Sequence, residues 1–177
     1  MPRNIAKEAI TEYVKNAVER LSQDQHSSKK DVLIHFLQMR SLPHCQLHEV
    51  MSENEEGHQR YWLCFLLLDE QDTWFVKAAA DITESSPVRT YPWINLAGGG
   101  REDEFWVGGR IIDNGFNVER VRLIATNGSI LEDRIQNDVA LFVTDQKVRM
   151  PLQVELYNHS GRVVGTHTFP YSLSQPI

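Results

Sequence analysis

Hydrophobic and polar positions alternate with period two through most of the C-terminal part of the chain. Val121, Leu123 and Ala125 alternate with Arg120, Arg122 and Thr126, and Leu152, Val154 and Leu156 alternate with Gln153, Glu155 and Tyr157. Side chains spaced by two share one face of a strand, so the pattern predicts sheets with one buried and one wet face. The runs break at Asp113-Asn114-Gly115, Asn127-Gly128, Gln136-Asn137-Asp138 and Asn158-His159-Ser160-Gly161. Asn-Gly between two alternating runs signals a hairpin, because both central residues of a type I′ turn need φ > 0. Strands are expected near 105–112, 118–126, 129–135, 139–144, 151–158 and 162–169. That spacing suits an all-β immunoglobulin-like sandwich of six or seven strands. The Cys and Trp pins of antibody domains are absent, so the likeness is one of architecture and carries no function.

The N-terminal part follows a different period. Ile10, Val14, Ala17, Val18 and Leu21 share one face of a helix, expected over about Ile5 to Ser22. A polar stretch precedes Val32-Leu33-Ile34-His35-Phe36-Leu37, which is apolar nearly throughout and is followed by Pro43. This segment, Lys29 to Arg40, reads as a short buried second helix, with a strand as the alternative. A three-stranded antiparallel meander follows, over His44–Met51, Gln59–Leu68 and Thr73–Ile82, with acidic turns between. Its middle strand is apolar on both faces, as in a central strand covered on both sides. The second cover would come from the C-terminal strands or from a second copy of the chain, and the reading leans to a homodimer.

Residues 83–103 hold no sustained period and are punctuated by Ser85-Ser86-Pro87, Tyr91-Pro92-Trp93 and Gly98-Gly99-Gly100. The domain reading is therefore an α+β unit over 1–84 (two helices on the meander), a linker over 85–103, and an antiparallel sandwich over 104–177.

Composition narrows the function. The net charge is −6 and neither half is basic, which disfavours a phosphate-neutralising surface and hence nucleic acid. Seven of the eight basic residues after Gly100 are Arg, which suits cross-strand pairing with carboxylates on an exposed sheet face. The longest apolar run is Tyr61 to Leu68, too short to span a membrane as a helix. The first residues carry no apolar secretory core, and two Cys make no disulfide framework. A cytoplasmic location is the default.

Candidate chemistry is sparse. His44, His48 and His58 could hold a metal across a hairpin, and His35 is near them in sequence, but the spacing lacks a zinc-protease pattern. No metal and no other cofactor is expected. Cys45 and Cys64 lie on adjacent expected strands and would face each other if Ser52 paired with Gly57. Gly98-Gly99-Gly100-Arg101 could form an anion-binding nest, yet Glu102-Asp103-Glu104 follows, and a turn between two units is the simpler reading. Tyr91, Trp93, Phe105 and Trp106 bracket that glycine run, and with Arg101 they form the candidate surface for a ligand or partner. No nucleophile elbow is present. The expected function is a non-enzymatic module that binds a protein or small molecule; the alternative is a small enzyme or cavity-binding protein using His35, His44, His48 or His58.

Overall fold

The computed structural model describes residues 5–23, 31–83, 89–101 and 104–170. The chain forms two compact units, Met1–Glu84 and Ser85–Ile177. The described residues are mostly β, with one helix and eleven strands in three antiparallel sheets.

The first unit opens with α1 (Ile5–Gln23), followed by β1 (Leu33–Leu42), β2 (Cys45–Glu53), β3 (Gln59–Leu68) and β4 (Trp74–Asp81), paired in chain order as one meander. Ala6, Ile10 and Val14 of α1 are buried against Val50, Trp62, Cys64 and Leu66 of the sheet. Fully burying Ile10 and Val14 is worth about 1.5–3 kcal/mol each. Leu21, expected on the same stripe, is exposed instead. Trp62 places its indole N–H 2.9 Å from the Ser52 hydroxyl, so a buried donor is satisfied.

The expected second helix is a strand, and the sheet has four strands, not three. The reason lies at Leu37. Phe36 pairs with Val50, but the next partners are Gln38 and Glu49, so Leu37 is an extra residue in the ladder. A bulge shifts the phase of the alternation by one. Ile34 and Phe36 share the α1 side with Met39 and Ser41, whereas Leu33 and His35 share the other with Gln38 and Arg40. Read without the slip, the segment is a continuous apolar run that periodicity cannot assign. Pro43 and His44 form the tight turn into β2.

The second unit contains β5 (Trp93–Arg101), β6 (Glu104–Ile112), β7 (Val118–Ala125), β8 (Ile130–Arg134), β9 (Val139–Thr144), β10 (Leu152–Asn158) and β11 (Val163–Phe169). One sheet runs β5-β6-β9 and the other β11-β10-β7-β8. They share a core in which Ile94, Leu96, Phe105, Val107 and Phe142 meet Val121, Leu123, Leu152, Val154 and Leu156.

The segment read as a linker is strand over 93–101; residues 84–88 and 102–103, including Ser85-Ser86-Pro87, lie outside the described residues. Gly98 and Gly100 are strand residues paired with Val107 and Phe105. A Cβ at Gly100 would lie 1.9 Å from the Glu104 carbonyl oxygen, and at Gly109 2.0 Å from that of Asn95. The glycines are required by close backbone approach, not by a nest.

The turns also differ in detail. Asn127 does not adopt positive φ; only Gly128 does, at 84°, which makes the Asn127-Gly128 hairpin a type I turn closed by a glycine bulge. Both central φ are positive at Asn137-Asp138, 51° and 62°, where Gln136 and Val139 exchange both backbone bonds, and at Asn114-Gly115, 50° and 82°, where the Phe116 amide donates to the Asp113 carbonyl oxygen.

Candidate functional site

The candidate set of the second unit is largely interior. Phe105 lies in the shared core and Trp106 is buried. Trp93 is covered on both faces. The Arg89 guanidinium sits 3.7 Å from its ring centre, and the His167 imidazole stacks on it at 3.8 Å with the planes 21° apart. Tyr91 meets Trp93 edge-on at 6.2 Å, and it is the one of the four aromatics that is exposed. The Asn114 amide donates to the Arg89 and Tyr91 carbonyl oxygens at 3.0 and 2.8 Å, strapping residues 89–91 to the β6–β7 turn. Arg101 ends β5 opposite Glu104. With both of its faces occupied, Trp93 offers nothing for a ligand to stack on. The aromatics pin the start of β5 to β11.

The arginine bias has a structural use on the wet face of the four-stranded sheet. Arg120 and Arg122 contact the two Glu132 oxygens at 3.0 and 2.6 Å, and both guanidiniums lie against the Tyr157 ring. Tyr157 in turn donates to Glu155. These groups satisfy one another across three strands.

In the first unit the four histidines of interest go to four different places. His44 is exposed in the β1–β2 turn. His58 is exposed beside the far hairpin, 3.4 Å from Glu56. His35, opposite Met51, lies on the face of the sheet away from His48. No group of three potential metal ligands exists among the described residues. The two cysteines do not face each other either. Cys45 pairs with Leu67 and Cys64 with His48, so the thiols lie on opposite faces, and both are buried and outside any disulfide.

His48 is the histidine with a site around it. It is 5 % exposed and projects from the middle of β2 on the α1 side. A cleft of about 410 Å³ opens beside it, lined by Lys7, Phe36, Leu37, Gln38, Met39, Gln46 and His48. The cleft exists because α1 packs mainly over β4 and β3, leaving the β1–β2 end of that face less covered. The β1 bulge brings Leu37 and Gln38 to its rim. Lys7, in the first turn of α1, holds its ammonium 4.9 Å from the centre of the Phe36 ring. His48 meets the same ring edge-on at 6.2 Å, and its Nε2 lies 2.8 Å from Gln46 Oε1. With that amide oxygen accepting, Nε2 carries the proton and the Gln46 amino end is left to donate.

The electrostatics of this corner are those of a neutral imidazole. Burial, and then the nearby Lys7 charge, push the His48 pKa down to about 4. Burial also pushes the adjacent Cys64 thiol up to about 12. A thiolate–imidazolium nucleophile needs the opposite shifts. The partner of the His48 ring is an uncharged amide, not the carboxylate that orients a general base. What the cleft offers is one ammonium, the Gln46 amide, a neutral imidazole and an apolar wall; the Gln38 amide is bonded to Glu49 on the opposite face. His48 was visible in the sequence as a histidine, but Lys7 and Phe36 were not, since a helix residue and a strand residue so far apart share no local pattern.

No family model matches the chain, and neither a curated protein nor a solved structure matches it. Among the described residues no helix is long and apolar enough to cross a membrane.

Proposed function

We propose that the chain is a non-enzymatic binding module whose ligand is a small molecule seated in the His48 cleft. The observation that carries this reading is the cleft itself: about 410 Å³, walled by Phe36, Leu37 and Met39, with Lys7, Gln46 and a buried His48 converging on it. Volumes of roughly 300–1,000 Å³, apolar walls and a few placed polar groups are the usual properties of small-molecule sites. Binding is favoured over catalysis because an imidazole neutral down to about pH 4 is a weak base at neutral pH, and the thiol beside it is un-ionised. A reducing compartment such as the cytoplasm fits two buried thiols that lie on opposite sheet faces and form no disulfide.

The test is a fragment screen read by amide NMR on the full chain. Saturable shifts clustered at residues 36–39 and 46–48, without consumption of the fragments, support the reading. Hits that shift only the second unit, or none at all, contradict it.

A further inference from the structure

Resting on that reading, we infer that the cleft selects an organic anion with an apolar body, its carboxylate paired with Lys7 and its body laid against Phe36 and Met39. Lys7 is the one charged residue in the lining, and no carboxylate lines the cleft among the described residues. A cationic ligand would find no counter-charge there. Lys7 itself has no carboxylate partner among the described residues; its ammonium rests on the Phe36 ring. A cation held over an aromatic face keeps its outer hydrogens for an incoming anion, whose own apolar part then covers the same ring.

The hydrogen-bonding groups point the same way. Gln46 gives its oxygen to His48, which leaves the amide N–H groups as donors toward the ligand. Because Lys7 lies in the first turn of α1, the positive end of the helix adds to its charge. The walls, Phe36, Leu37 and Met39, are apolar, so a bare inorganic anion would leave most of the cleft unfilled.

The experiment is a pair of NMR titrations of the full chain, one with 3-phenylpropionate and one with 3-phenylpropionamide. These differ in charge and little in shape. The acid is expected to bind roughly fivefold tighter, the scale of a partly exposed ion pair, with shifts at Phe36, Met39, Gln46 and His48. Lys7→Gln should bring the two affinities together, and Lys7→Arg should keep the preference for the acid. Equal affinities in the unsubstituted chain, or a preference that survives Lys7→Gln, would overturn the anion assignment while leaving the cleft a binding site. Failure of both probes to shift any cleft resonance would overturn the cleft reading as well.

Discussion

His48 and Cys64 stand directly opposite each other across the β2–β3 ladder, on the face that α1 covers. Each is driven toward its neutral form, the imidazole down to about 4 and the thiol up to about 12. The pair therefore has the residue types of a cysteine–histidine dyad and the electrostatics of a packed core. Thiol-modifying reagents should show the difference. At pH 8 the native protein should react with a disulfide reagent roughly a thousandfold more slowly than the urea-unfolded chain, because the thiolate is scarce and covered. Rapid stoichiometric modification of Cys64 in the native state would restore the enzymatic alternative.

Acid should destabilise the first unit through His48. Its folded pKa, about 4, lies below the ordinary value of 6.5. The native state therefore favours the neutral ring, and the stability this represents is complete above pH 6.5. It is lost as the pH falls from 6.5 through 4, where the unfolded chain binds the proton and the folded chain resists it. The loss is on the order of 2–3 kcal/mol. His167, lowered to about 4 chiefly by burial, adds a loss of the same sign in the second unit. Denaturant titrations at pH 7.5, 5.5 and 4.0 should follow this curve, and His48→Gln should flatten its first-unit part. A stability independent of pH over that range would contradict the burial of both rings.

Much of the chain's architecture could be read from side-chain periodicity, and the misses have specific causes. The α1 stripe of Ile10 and Val14 and the alternation in β7 and β10 are visible because each has one buried and one wet face. β1 was hidden by the extra residue at Leu37, which puts its two faces out of phase. β5 was read as linker because Gly98, Gly99 and Gly100, three of its nine residues, carry no side chains and so no period. The cleft was invisible for a different reason. It is assembled from a helix, a bulged strand and its neighbour, and nothing local links Lys7 to Phe36.

Gly98, Gly100 and Gly109 of the β5–β6 hairpin should be hard to replace, because a Cβ at each would lie within 2.3 Å of a backbone carbonyl oxygen. At Gly109 a Cβ would sit 2.0 Å from the Asn95 carbonyl oxygen, backbone that cannot swing aside. Gly109→Ala should cost more than about 2 kcal/mol or prevent folding of the second unit. Gly161→Ala, where a Cβ meets nothing within 4 Å and only φ of 75° is strained, should cost about 1 kcal/mol. Chemical denaturation of the two variants ranks them, and a reversed order would contradict the close approach.

Truncating the stack at the start of β5 should be felt through Trp93. Trp93→Ala removes a buried indole held between Arg89 and His167 and should cost about 3–5 kcal/mol. Arg89→Ala, which leaves the His167 side of the stack in place, should cost about 0.5–2 kcal/mol. Urea unfolding followed by circular dichroism checks both, and equal losses would mean that the guanidinium, not the indole, holds the segment down.

The central claim, a small-molecule site at His48, is tested most directly by histidine-ring NMR on the full chain during titration with 3-phenylpropionate. The account predicts that the His48 ring signals move saturably while those of His35, His44 and His58 stay fixed, because only His48 lines the cleft. Unmoved His48 signals at saturating probe, or shifts confined to the exposed histidines, would contradict it.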